Sequence, residues 1–472
     1  YQNIIEEKIE ELKDKDDYTL EDPLLIHNPY GTGSLSYYLY YTDSEEDLDY
    51  KIETEGYSNF EQEISHKDSN EYQLIGFVPG ETNTLTLTSG DKEYEFTITT
   101  PESEADIDTQ VEVVEGDSEE ELTDGLYALL GHDKNYNSNI YLYDNEGVLR
   151  EEFVLDSYRA DRIIFDDDYM YYAYNKKGIV KVNDLGKIEE FYDLGKYSMH
   201  HDMVYDEDNN RFVILVNEDG TDTIEDVIIT VDLDTKKIEK IVDMKDLLPE
   251  FYLNAIKPEG KNTYGGYELD WIHLNSLSLI GDDIVLSSRE LSTIIYISDA
   301  YTDPSVKYLL TDESVTEDTS YGDLLYEKVG DFVPQAGQHS ITYYTDETPE
   351  DGEYYLYMFN NNYQGARTRP NFDWSNYPGT GTYNEGETSY FYQYKVNEND
   401  KTYELVKSFE IPYSSIVSDV EILDGGNIVV GSGKDNSYGE YDNDGNLIRQ
   451  FNYNSKKYAY RVFKYEFNNL FD

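Results

Sequence analysis

The chain has 472 residues and a net charge of −64, from 100 acidic and 36 basic residues. That balance argues against nucleic acid and anionic membrane surfaces as partners, which would be repelled, and the absence of cysteine removes disulfides, thiolate metal sites and cysteine nucleophiles. Its 50 Tyr and 17 Phe are the opposite of a disordered composition, while the length demands several domains or one large closed all-β architecture.

Residues 1–17, "YQNIIEEKIEELKDKDD", predict a helix with a narrow apolar stripe of Ile5, Ile9 and Leu12. It is a leader that tethers the domain or docks on it. Residues 18–100 predict a small β-sandwich. "SLSYYLYYT", "YQLIGFV" and "TLTLTSGDKEYEFTITT" are strand-length β-rich runs parted by Gly, Pro and Asn turns. Pro101 opens an acidic linker over 101–122, with one short strand expected at Val111–Val114. No apolar run reaches the length of a membrane span. The chain opens at Tyr1 without a methionine or a visible signal peptide, as a mature or trimmed secreted protein would.

From residue 123 to 472 the chain repeats one design. Six segments, among them "IYLYDNEGVLREEF", "IITVDLDTKKIEKIVDM" and "YGEYDNDGNLIRQFNY", hold two β-rich runs around a polar turn. A second pair of apolar runs precedes them, as in "HDMVYDEDNNRFVILV", "HLNSLSLIGDDIVLSSR" and "HSITYYTDETPEDGEYYLYMF". Six units of four strands predict an all-β, six-bladed propeller behind the N-terminal sandwich. Asp206, Asp208, Asp442 and Asp444 are more simply turn residues than calcium ligands.

The chain has seven histidines. His27 and His66 lie in the sandwich. His201, His273 and His339 open the first strand pairs of three blades, and Asn275 follows His273 by two, on the same strand face. Arg289 closes the hairpin that His273 opens. Equivalent positions in propeller blades converge on one end of the central channel, so these residues predict one axial pocket. Three histidines can bind zinc, but no carboxylate except Asp202 completes a set. Arg289 points to an oxyanion instead, beside which an imidazole can act as nucleophile, base or proton donor. Trp271 either walls that pocket or packs between blades, the second being favoured.

"DWIHLNSLSL" followed by "LSSRE", with "HHDMVYD" upstream and "GQHSITYY" downstream, resembles the bacterial arylsulfate sulfotransferases. "LIHNPYGTGSLSYYLYYT" and "MFNNNYQGARTRP" extend the resemblance over nearly the whole chain from Tyr18. It implies a propeller behind a sandwich. It also implies an enzyme that moves a sulfuryl group from an aryl sulfate donor to a phenol acceptor, without a nucleotide donor or other cofactor and without a metal. The reaction it implies is ping-pong, through a sulfated histidine. By position His339 matches that nucleophile, and His273 and Arg289 match the grip on the sulfuryl oxygens. His201 matches the remaining catalytic histidine, with His200 its rival in the doublet, and Asn275 matches a polar contact to substrate. Family and composition together imply an extracellular or cell-surface protein, monomeric or homodimeric. Members from oxidising periplasms carry a disulfide, which this cysteine-free chain lacks. Two other readings stand beside this one: a non-catalytic binding propeller, and a metal-dependent hydrolase that uses the same histidines.

Overall fold

Asx chemistry closes the hairpins that the polar turns foreshadow. In the computed structural model, which describes residues 1–166, 169–345, 347 and 349–467, Asp442 Oδ1 accepts the main-chain N–H groups of Asp444 and Asn446. Asp144 Oδ1 does the same for Glu146 and Val148, and Asn183 Oδ1 for Leu185 and Lys187. Each of these turns then needs a left-handed residue, supplied by Gly445, Gly147 and Gly186 at φ 87°, 78° and 83°. Asp206 accepts from Arg211 Nε and from the Asn209 amide. The turn reading of these acidic residues accounts for the bonds they make. Residues 346 and 348 of the run "HSITYYTDETPEDGEYYLYMF", and 468–472 at the end of the expected propeller, lie outside the described residues.

The chain forms two units. The first comprises Tyr1–Asp193 and Leu447–Asp472. It holds a three-stranded sheet of Leu24–His27, Tyr37–Tyr40 and Glu71–Leu74, and a four-stranded sheet ordered Phe60–Ile64, Leu48–Thr54, Thr82–Ser89, Lys92–Thr99. Alternate residues of Leu48–Thr54 are buried, and Leu39, Tyr50, Ile52, Leu74, Leu85 and Leu87 belong to one core. Two further four-stranded antiparallel sheets follow. One is built from Leu149–Phe153, Ile140–Tyr143, Leu126–Gly131 and Ala459–Tyr465, the other from the four strands between Ile163 and Asp193. The acidic segment contributes the strand Glu112–Glu115, paired with Leu447–Asn452. The terminal helix is Gln2–Lys13. It docks through Ile9, which is buried with Tyr30 and Tyr38, and Lys187 binds its Glu6 at 3.0 Å.

The second unit, Leu194–Asn446, carries the candidate site. Its first sheet runs Tyr197–Asp206, Arg211–Glu218, Val227–Asp232, Ile238–Asp243 in order, and its second runs Leu274–Ile280, Asp283–Ser288, Thr293–Ser298, Ser305–Leu310. The third orders His339–Tyr344, Glu353–Asn360, Ser389–Asn397 and Thr402–Ile411, with Glu327–Val329 added in parallel at its edge. Asp419–Ile422, Ile428–Ser432 and Ser437–Tyr441 follow. In the first two of these sheets each strand pairs with its neighbours in sequence, the meander that short polar turns impose.

The first strands of successive sheets are tied by polar side chains, of which Asp202 and Ser276 are buried. Asp202 Oδ2 accepts from Leu277 N, Ser276 Oγ from Ile341 N and Ser278 Oγ from Tyr343 N. This explains the serines in "LNSLSL": they satisfy main-chain donors that these strands leave without a ladder partner. Trp271 packs in the apolar core of this unit, fully buried, with its indole N–H donated to Asp226 Oδ2 at 2.9 Å. It is a packing residue. Trp271→Ala should cost about 3–5 kcal/mol, measured as a lower denaturation midpoint at unchanged slope. No described helix is long and apolar enough to cross a membrane.

Candidate active site

The hairpin of the second sheet brings its two ends together. His273 immediately precedes the strand Leu274–Ile280, and Arg289 immediately follows Asp283–Ser288. The main-chain N–H of Arg289 donates to the carbonyl of His273 at 3.1 Å. His273 Nδ1 lies 2.6 Å from Asp270 Oδ2 and forms an ion pair with Glu225. Glu225 comes from the turn before Val227–Asp232 and is fully buried. Its Oε1 accepts from the Tyr264 hydroxyl at 2.6 Å and stands 3.6 Å from His201 Nδ1. The rings of His201 and His273 meet edge to face at 4.9 Å between centroids. His200 and His201 share a hydrogen bond between their Nδ1 atoms, 2.8 Å apart. The structure thus gathers His200, His201, His273 and Arg289 around Glu225 and Asp270.

Three of these residues sit in the left-handed region: His201 at φ 57°, Glu225 at 60° and His273 at 50°. Such backbones cost about 1–3 kcal/mol each and persist where surrounding structure over-determines them. Here the shared carboxylate and the buried rings provide that constraint.

Opposing charges set the protonation of the cluster. Burial and the Arg289 charge act to lower the pKa of His273, but Asp270 and Glu225 outweigh them and raise it to about 9. Burial also works against ionising Glu225, yet His273 and His201 hold its carboxyl well below the usual range. Asp270 goes the other way, pushed up mainly by burial. Glu225 therefore carries the negative charge that faces the imidazolium. His273 Nε2 and Arg289 Nε, both buried, donate to no described residue. Buried unpaired donors are costly, and two cationic ones side by side call for an anion.

His339 opens its strand and is buried. Its Nδ1 is 2.8 Å from Asn361 Oδ1. The Asn361 amide N–H groups are already committed to the carbonyls of Ser414 and Val417, at 2.8 and 3.0 Å. Asn361 can therefore only accept from the ring, so His339 carries a proton on Nδ1, and its neutral form keeps the lone pair on Nε2. Gln338, one residue before, donates to Ser287 Oγ and Ser288 O. Its own carbonyl accepts from Asn275 Nδ2 at 2.7 Å and from Ser287 Oγ at 3.1 Å. These bonds fix the strand end that carries His339 against the one that carries Arg289.

The site corrects two sequence expectations. His201, Asn275, His339 and Ser418 each stand two residues before the buried apolar Met203, Leu277, Ile341 and Val420, so Asn275 occupies the position corresponding to His201 and His339. His273 lies two residues earlier, before its strand, where a left-handed backbone interrupts strand alternation. It faces Glu225 and Asp270, while Asn275 turns to Gln338 and Ser276. The second correction concerns the carboxylates. Asp202 Oδ2 binds the main chain of Leu277, and the acids on the histidines are Glu225 and Asp270. Asp270 opens the same motif as His273, a usable signal at three residues' spacing. Glu225 and Asn361 carried no signal, one among 100 acidic residues and the other inside a run of three asparagines.

A family model described as Arylsulfotransferase (ASST) matches residues 111–468, the span that holds all of these side chains. No curated protein matches the sequence. Among solved structures, a protein of unknown function from Bacteroides caccae is 8% identical, at a TM-score of 0.38, with 72% of this chain and 98% of that one covered. A catalytically inactive variant of virginiamycin B lyase from Staphylococcus aureus is 11% identical, at a TM-score of 0.37, with 73% and 89% covered. Likeness at that level carries no assignment of fold or chemistry.

Proposed function

The chain belongs to the arylsulfotransferase family, a family of sulfotransferase enzymes, and from that premise we propose that it moves a sulfuryl group from a phenolic sulfate ester to a phenol by a ping-pong route through His339. The observation that carries this reading is the pair of buried, unpartnered donors, His273 Nε2 and Arg289 Nε. They suit the non-bridging oxygens of a sulfate monoester. A cleft lined by Lys257, Lys261 and Arg367, beside Glu268 and Asp270, offers an anionic donor three cations on a chain that otherwise repels it.

In the first half-reaction His339 Nε2 attacks sulfur and the S–O bond to the aryl group breaks. The departing phenolate takes a proton from His201. In the second, His201 takes the proton of the acceptor phenol, whose oxygen attacks sulfur as the N–S bond breaks. His273 and Arg289 hold the sulfuryl oxygens through both steps, and Asn361 keeps the nucleophilic lone pair on Nε2. The architecture that goes with this reading is a six-bladed propeller over 123–472, behind a β-sandwich over 18–100 and a linker over 101–122. The runs of four-stranded antiparallel sheets support it. Transfer from a chromogenic aryl sulfate to added phenol by the purified protein tests the function. No transfer over a panel of simple phenols would count against it.

Glu225 acts in this scheme through His273 and His201. Cationic His273 requires a pH below its pKa of about 9, so kcat/KM should fall as pH rises through about 9. Glu225→Gln removes the counter-charge that holds the imidazolium and should move that limb to lower pH. Linkage gives the same sign for stability. A pKa raised from 6.5 to about 9 contributes stability that is complete below about 6.5 and lost as pH climbs through about 9. Identical pH profiles for both proteins would remove Glu225 from the mechanism.

A second reading has one observation in its favour. His200, His201 and Glu225, and likewise Glu225, Asp270 and His273, place ligand atoms within 4.8 Å of one another, so a metal-dependent hydrolase can be built on the same side chains. The His273 Nδ1 to Asp270 separation of 2.6 Å is that of an N–H···O hydrogen bond, which favours a proton between these groups. Full aryl sulfate turnover after dialysis against a chelator excludes the metal reading.

A further inference from the structure

We propose that the cleft beside Asp270 receives a carboxylate carried on the aryl part of the substrate, and so selects phenols with a second, remote anionic group. This assignment rests on the sulfuryl-transfer reading and names a substrate class for it. Lys257, Lys261 and Arg367 line the cleft with Tyr267, Glu268 and Asp270. The three cations are exposed, and none makes an ion pair among the described residues. The two acids of the cleft are already engaged. Glu268 Oε2 accepts from the Asn262 amide at 3.0 Å, and Asp270 Oδ2 binds His273 Nδ1. Three cations thus face two occupied acids, in a chain of net charge −64.

Hydrogen bonds connect the buried grip to these outer cations. Glu290 follows Arg289 and accepts from Thr368 Oγ1 at 2.8 Å. Arg367 precedes Thr368, whose carbonyl accepts from the main-chain N–H of Ile256 at 2.8 Å, and Lys257 follows Ile256. Arg289 is buried while Arg367 and Lys257 are exposed, so the cations lie on the solvent side of the grip. A sulfuryl group held by His273 and Arg289 leaves its aryl ring to point outward. A charged substituent on that ring then meets the cleft, which the sulfuryl oxygens themselves do not fill.

The loop that presents the lysines is fixed in place. Asn262 Oδ1 accepts the main-chain N–H groups of Tyr264 and Gly266, each at 3.0 Å, and Gly265 at φ 82° supplies the left-handed residue of that turn. The Tyr264 hydroxyl donates to Glu225 Oε1 at 2.6 Å, which ties the loop to the carboxylate shared by the histidines. Charges held in position this way bind a ligand at less cost in ordering than charges on a free loop. Tyr267 is 61% exposed, with Lys261 Nζ 5.9 Å from its ring centre. The cleft therefore sets a flat aromatic face beside its cations. A phenol that bears a carboxylate uses both.

The test compares 4-hydroxybenzoate with its methyl ester, which is neutral at the same position, on the intact chain. In a ping-pong reaction kcat/KM for the acceptor reports the second half-reaction alone, so donor binding does not enter. The double variant Lys257→Gln/Lys261→Gln should lower the acid-to-ester ratio of kcat/KM by about tenfold, and Arg367→Gln by about threefold. Raising salt to about 0.5 M should shrink the same ratio in the parent protein, because exposed charges are screened. Equilibrium dialysis of 4-hydroxybenzoate without any donor gives a second readout. Its affinity should fall about tenfold in the double variant. A carboxylate captured by His273 and Arg289 instead would leave that affinity unchanged, and that result overturns the cleft. An unchanged acid-to-ester ratio in an active double variant overturns it too, and leaves the transfer reading standing. Dialysis needs no turnover, so a chain that transfers nothing still decides between the two outcomes for the cleft.

Discussion

His339→Ala is expected to lower sulfuryl transfer by three orders of magnitude or more, about 4 kcal/mol of transition-state stabilisation. The size follows from the role. Without Nε2 no covalent intermediate forms, and what remains is binding by Arg289 and His273. The substitution also has a structural side. His339 is buried and donates to Asn361, so its loss leaves an acceptor unsatisfied at about 1–3 kcal/mol. Thermal unfolding measured in parallel separates the two effects. His339→Asn can keep a donor towards Asn361 and should restore stability without restoring transfer. Recovery of both would demote His339 to a structural residue.

The second large effect is at Arg289. Arg289→Lys keeps a charge near Asp270, which sits 3.9 Å away, but loses the planar fork. It should lower kcat about 100-fold or more, with a smaller rise in KM, because the fork is worth most where charge develops on the sulfuryl oxygens. Arg289→Gln should be worse on both counts. It also strips the counter-charge from Glu290, whose pKa burial already raises, and it should lower the unfolding temperature. Kinetics on donors with good and poor leaving groups check the assignment. If both substitutions left kcat intact, the oxyanion grip would lie elsewhere.

The sheets were legible because strand alternation and turn chemistry are local. "YDNDG" specifies its own hairpin through Asp442 and Gly445 wherever the sheet lies. The histidines were legible for a different reason: they are scarce, so their placement at strand mouths stood out. What sequence could not give was the left-handed backbone at His273. That single dihedral moves the ring from the strand face to the Glu225–Asp270 pair and hands the strand position to Asn275. The carboxylates were hidden by abundance, since the long-range bond from Glu225 to His273 has no periodicity to announce it. Asn361 was hidden likewise, because only the carbonyls of Ser414 and Val417, far along the chain, show why this asparagine must accept from His339.

The most direct test of the account is intact-protein and peptide mass spectrometry after brief incubation with an aryl sulfate donor and no acceptor. A mass gain of one sulfuryl group on the peptide that contains His339, discharged when phenol is added, is the predicted result. Stoichiometric release of phenol with no modified histidine, or a modification that persists in the presence of phenol, would contradict it.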